Sequence, residues 1–197
     1  MRGTYSLDGA AVVLLLGVLL PLVWWRGRRA TLSRWEIVLR VAFVSWVAAL
    51  AALVFFPLPL PPYLVPEETV SDFRGWPYPW VGPVPFETIR SSIEQGWNFP
   101  AGKFLAGNVG AFVPLGVLAP MLSRRWTSWP RALLLGILAS GLVEGAQLVL
   151  SLAMGFPWRV ADVDDLLLNT LGTLIGFGVW TVGLAVLGGR CPVSQAS

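Results

Sequence analysis

The chain has 197 residues, 55% of them hydrophobic, and a formal charge of +3 from 14 Lys and Arg against 11 Asp and Glu. A mean hydropathy of +0.68, with several apolar runs near the ~20 residues that cross a bilayer, reads as a polytopic membrane protein. With no His and the single Cys191, disulfide frameworks, His or Cys zinc sites, Ser-His-Asp triads and thiol-histidine pairs are excluded; Cys191 reads as inert. The basic balance does not point to nucleic acid, because the arginines stand in short segments beside apolar runs, where positive charge sets membrane orientation.

The first apolar run, Ala10 to Trp25, resembles a signal-peptide core. It is followed by Trp24-Trp25-Arg26-Gly27-Arg28-Arg29 with no small-residue cleavage site, so it reads as a retained span. Five spans fit the hydropathy, at residues 9–25, 37–58, 104–122, 132–154 and 166–187. The predicted fold is therefore all-α, a membrane bundle of about five transmembrane helices. Arg26, Arg28, Arg29, Arg34 and Arg40 fill the first loop and Arg124, Arg125 and Arg131 the third. The positive-inside rule makes both loops cytoplasmic, with the N-terminus outside and the C-terminus inside. Glu67, Glu68, Asp72, Glu87, Glu94, Asp162, Asp164 and Asp165 then fall on the outer side and Glu36 on the inner. Trp24, Trp25, Trp35, Trp76, Trp80, Trp97, Trp126, Trp129 and Trp158 cluster at the span edges, where amphipathic rings anchor at the headgroups.

This divides the chain into two N-terminal helices (1–60), an extracytoplasmic loop (61–103), a three-helix core (104–190) and a cytoplasmic tail (191–197). Within the loop, Pro61-Pro62, Pro66 and Trp76-Pro77-Tyr78-Pro79-Trp80 break any long helix. Pro85 to Gly96 predicts a short helix lying on the outer leaflet, with Phe86, Ile89, Ile93 and Trp97 along one apolar stripe. A loop packing those residues on the bundle is the alternative. There is no internal repeat, P-loop or dinucleotide fingerprint. Gly172 and Gly176 form a small-xxx-small pair of the kind that lets membrane helices approach closely.

Chemistry concentrates near the C-terminus. On the fourth span Ser140, Glu144, Gln147 and Ser151 recur every three or four residues, which lines them along one helical stripe that lipid cannot satisfy. On the fifth, Asp162, Asp165, Asn169 and Gly172 share a face, and the short connection makes the helices antiparallel neighbours. Glu144 lies ten residues before Met154, ~15 Å at the helical rise, and Asn169 only ~5 Å past Leu166. The expected picture is a polar cleft open to the outside, with the aspartates at its mouth and Glu144 at its floor. Arg159 is the expected counter-charge, and Asn108, followed by Gly110, Pro114 and Gly116, a third wall.

Three roles stand open for this cluster: acid-base or proton-relay work by Glu144, a divalent cation held by Asp162, Asp164 and Asp165, or attraction of a cationic head group or drug. Structural readings compete with each. The aspartates can cap a helix start, Glu144 can be glue paired with Arg159 or Gln147, and Asn108 can be interhelical glue.

The stretch Asn108-Val-Gly-Ala-Phe-Val-Pro-Leu-Gly116, then Glu144-Gly-Ala-Gln147, Arg159-Val-Ala-Asp162-Val-Asp-Asp165 and Leu-Leu-Leu-Asn169-Thr-Leu-Gly172 resembles the VanZ-like family. Pro85-Phe86-Glu87-Thr88-Ile89 resembles the segment preceding that pattern, so the likeness covers roughly residues 80 to 180. It implies a multi-pass protein of the bacterial cell (inner) membrane, related to accessory proteins of low-level resistance to the lipoglycopeptide teicoplanin. It implies no particular reaction and no resident cofactor. The expected action is at the outer leaflet, on or near a lipid-linked or amphiphilic envelope molecule, with Asn108, Glu144, Gln147, Arg159, Asp162, Asp165 and Asn169 as the binding cleft. An intramembrane enzyme using Glu144 and an Asp-bound divalent cation is the first alternative, and a structural or scaffold protein the second.

Overall fold

A computed structural model describes residues 6–7, 9–55, 58–59, 80–94 and 99–186. Within them the chain forms six α-helices: α1 (Gly9–Arg29), α2 (Arg34–Phe55), α3 (Glu87–Glu94), α4 (Phe99–Leu122), α5 (Trp129–Met154) and α6 (Val163–Val186). Two short antiparallel strands, β1 (Ser6–Leu7) and β2 (Leu58–Pro59), pair with each other, and β3 (Val81–Gly82) pairs in parallel with β4 (Ala161–Asp162). Each of the five predicted spans falls on a helix, the second of them helical to Phe55 and reaching β2 at Leu58. Among the described residues, Arg34–Phe55, Phe104–Leu122, Trp129–Met154 and Val163–Val186 are long and apolar enough to cross a membrane. The protein is an all-α polytopic bundle. The Pro- and Trp-rich run 61–79, residues 95–98 and the tail with Cys191 lie outside the described residues.

Local chemistry accounts for the helix boundaries. Ser33 and Glu36 form a capping box at the start of α2: the Ser33 N–H donates to Glu36 Oε2 (2.8 Å) and the Glu36 N–H to Ser33 Oγ (3.2 Å). Helix α1 continues through the arginines to Arg29, whose guanidinium lies 4.0 Å from the Trp25 ring centroid. Helix α5 begins behind Ser128 with proline in its first turn and ends at Gly155, whose φ of 75° closes the last turn in the left-handed region. Asp162 opens α6 by accepting the Asp164 N–H on Oδ1 (2.9 Å).

The bundle packs around Phe112, Leu115 and Ala119 of α4, against which Phe43, Trp46 and Leu50 of α2 and Leu135, Ala139 and Val143 of α5 are laid. Trp46 donates from its indole to the Ala111 carbonyl (2.7 Å) and meets Phe112 edge to face. Helices α4 and α6 run parallel and touch backbone to backbone. A methyl group on Gly172 would strike the Val109 carbonyl, one on Gly176 the Val113 carbonyl, and one on Gly116 the Thr173 carbonyl. The small-xxx-small pair therefore works with a third glycine from the facing helix.

Helix α3 begins two residues later than the expected 85–96 element because Phe86 (φ 66°) turns out of helical geometry just before it. What holds that turn is Asp164, wholly buried in the first turn of α6: Oδ1 accepts the Phe86 N–H (2.5 Å) and Oδ2 the Ile89 N–H (2.9 Å). The carboxylate thus caps a helix other than its own. The Thr88 hydroxyl adds a bond to Asp162 Oδ2 (2.6 Å).

Two outcomes follow. Gly172→Leu should lower the melting temperature of the detergent-purified protein through an overpacking cost of at least ~1–3 kcal/mol, while Gly178→Ala and Gly183→Ala, which meet nothing within 4 Å, should be neutral or stabilising. Wild-type melting in Gly172→Leu would contradict the α4–α6 contact. Asp164→Ala strands two backbone donors at a cost of ~1–3 kcal/mol each, so the Phe86 and Ile89 amides should exchange hydrogen faster; unchanged protection there would refute the clamp.

Candidate functional site

The α5 stripe is inside the protein. Ser140 and Ser151 are wholly buried, Glu144 and Gln147 are each 8% exposed, and the neighbouring Leu142 and Val149 point outward at 75% and 64% exposure. This inverts a soluble helix, as expected where the solvent is hydrocarbon and polar groups have only protein to bond. Three of the four stripe residues bind something across the helix pair. Ser140 Oγ accepts the Asn169 side-chain amide (3.0 Å), and Glu144 Oε2 accepts the Asp162 backbone N–H (3.0 Å). Ser151 Oγ both donates to the Arg159 carbonyl (2.9 Å) and accepts the Arg159 N–H (3.1 Å).

The depth relation differs from the sequence expectation. After Met154 the chain does not start its next helix at the surface. Gly155 turns it, buried Phe156 packs on Met154, and the two Ser151 bonds draw it back along α5. Asp162 consequently stands beside Glu144, about ten residues or ~15 Å back from the α5 end. Asn169 is level with Ser140, one turn beyond Glu144. The aspartates are therefore not a mouth above a Glu144 floor, and the N-terminus of α6 itself lies within the bundle.

Around that terminus is a cavity of about 220 Å³. One wall is polar, with Asn108, Glu144, Gln147, Asp165, Asn169 and Arg159; the other is apolar, with Leu50, Leu53 and Val54 of α2 and Phe104 of α4. Asn108 donates to Asp165 Oδ1 (2.5 Å), joining α4 to α6. Of the sequence-selected residues, six meet at this cavity. Asp162 braces it from behind through Glu144 and Thr88. Gly116 instead packs on α6, and a methyl group on Gly110 would meet nothing.

Two expected pairings are replaced. Arg159 lines the cavity without pairing to Glu144; its guanidinium stacks 5.1 Å from the Trp158 ring centroid, and among the described residues the only ion pair is Arg90–Glu94. Glu144 is bonded to the Asp162 backbone, not to Gln147. The three candidate cation ligands diverge as well. Asp164 faces α3, Asp162 is engaged by Asp164 and Thr88, and Asp165 faces Asn108. No group of three or more His, Cys, Asp or Glu among the described residues is placed to hold a metal ion. The apolar α2 wall escaped the sequence reading because Leu50, Leu53 and Val54 are ordinary residues of a lipid-soluble span. The clamp that Asp164 makes on Phe86 and Ile89 escaped because those partners lie over seventy residues away.

No curated protein and no solved structure matches the chain. The family model described as VanZ/LLP1 matches residues 43–185, well over half of the sequence and a stretch that contains every residue lining the cavity. By that match the chain belongs to the VanZ/LLP1 family.

Proposed function

We propose that this VanZ-like membrane protein acts at the outer leaflet, with its N-terminus outside and its C-terminus cytoplasmic, on a lipid-linked or amphiphilic cell-envelope molecule. That molecule is engaged in the cavity bounded by Asn108, Glu144, Gln147, Arg159, Asp165 and Asn169. The observation that carries this reading is the two-sided lining: a row of polar side chains from α4, α5 and α6 faces an apolar wall from α2. A soluble polar ligand has no use for the apolar wall, and a hydrocarbon chain has no use for the polar row. At 220 Å³ the space is below the roughly 300–1,000 Å³ of pockets that hold drug-sized ligands. A lipoglycopeptide is not enclosed, and lowered teicoplanin susceptibility would arise through the envelope molecule. Acid-base chemistry at Glu144 is the second reading, favoured by its buried, cavity-lining carboxyl having one oxygen bonded to the Asp162 N–H and the other without a partner among the described residues.

Deleting the gene in its host should increase susceptibility to teicoplanin more than to vancomycin, measured as inhibitory concentrations side by side. No change in either would remove the resistance phenotype. Complementation with Glu144→Gln, which keeps an oxygen for the Asp162 N–H, should leave the amount of folded protein intact but weaken the function. Loss of a charged hydrogen-bond partner corresponds to roughly 10- to 100-fold in affinity. Full complementation by this variant would favour a scaffold.

A further inference from the structure

The cavity presents more hydrogen-bond acceptors than the protein uses. Glu144 gives one carboxyl oxygen to the Asp162 N–H and Asp165 gives one to Asn108, which leaves the second oxygen of each without a partner among the described residues. Asn169, 3% exposed, donates to Ser140, yet its Oδ1 is buried with no partner among the described residues. Gln147, 8% exposed, makes no side-chain hydrogen bond with any described residue. All four side chains line the same space. Lipid offers them nothing, and a buried acceptor left unmet is costly, so the complementary ligand is one that donates.

Charge and size narrow its class. Two of the four acceptors belong to carboxyl groups, which favours a donor that is also a cation. A quaternary ammonium has no N–H and would leave every acceptor unmet; a primary ammonium carries three. The 220 Å³ cavity is smaller than the roughly 300–1,000 Å³ of drug-sized pockets, the scale of one small head group. Arg159 at the rim is exposed, stacked on Trp158 and free of any ion pair among the described residues, so it is available to an anion beside that ammonium. The wall of Leu50, Leu53 and Val54 continues outward, with Leu53 63% exposed, and suits an acyl chain.

Resting on the reading of the cavity as an amphiphile site, we propose that it binds the head group of an aminoalcohol phospholipid: the primary ammonium on Glu144, Gln147, Asp165 and Asn169, the phosphate at Arg159, and the chains along α2. Gln147 is the most informative position, because its side chain has no hydrogen-bond partner among the described residues to lose.

The test is native mass spectrometry of the detergent-purified full chain titrated separately with phosphatidylethanolamine, phosphatidylcholine, phosphatidylglycerol, a glucosyl diacylglycerol and water-soluble O-phosphoethanolamine. Phosphatidylethanolamine should bind about tenfold or more tightly than phosphatidylcholine, the effect of losing a charge-assisted hydrogen bond. Gln147→Leu and Asp165→Asn should each shrink that preference, Gln147→Leu without lowering the melting temperature. Equal binding of the two lipids, or an undiminished preference in both variants, overturns the proposal. O-phosphoethanolamine binding as tightly as the lipid overturns the lipid as source in favour of a free amine. A preference for the glycolipid or phosphatidylglycerol sinks the ammonium and leaves the amphiphile reading standing, whereas no binding of any lipid sinks both.

Discussion

In hydrocarbon a polar group can bond only with protein, and that constraint organises this bundle. Large aliphatic side chains such as Leu142, Val149, Val182 and Val186 face outward, while serines, amides and carboxyls turn in. Between α4 and α6 there is little side chain at all: Gly116, Gly172 and Gly176 bring the backbones together, and cohesion comes from close packing rather than from excluding water. The polar row of α5 supplies the hydrogen bonds that such packing cannot.

The same constraint explains why the carboxyls are tolerable where they are. A helix start exposes N–H groups and carries the positive end of the backbone dipole. Here that start is drawn into the bundle by the return of the chain after Gly155, and Glu144, Asp162, Asp164 and Asp165 gather around it. Asp162 meets the Asp164 amide, Glu144 meets the Asp162 amide, and Asp164 meets the Phe86 and Ile89 amides at the start of α3. Irregular backbone at this position is covered by α3, β3 and α5, the circumstance in which membrane proteins accommodate it.

Much of this could be read from residue order. Helical periodicity with the cost of polar groups in lipid placed Ser140, Glu144, Gln147 and Ser151 on one inward stripe, and all four are buried. The pairing of Gly172 with Gly176 pointed to a close helix contact, which the structure bears out. What could not be read was set by contacts distant in sequence. The direction of the connection 155–162 depends on Ser151, and the fate of Asp164 on Phe86 and Ile89. Asp164 and Asp165 are adjacent in sequence, yet successive helical side chains point about 100° apart, so one serves α3 and the other the cavity. Position along the chain suggested three carboxyls sharing one ligand, whereas the fold gives each its own partner.

The Asp164 clamp also bears on how the chain is assembled. Phe86 and Ile89 are synthesised well before the carboxyl that receives their amides, and β3 likewise precedes the strand it pairs with. Residues 80–94 therefore emerge before the carboxyl that accepts their Phe86 and Ile89 amides in the finished fold. Arrival of α6 is the event that fastens this segment, seats its own first turn and closes the cavity, so a chain interrupted before residue 164 would keep four earlier long helices and still lack the finished site.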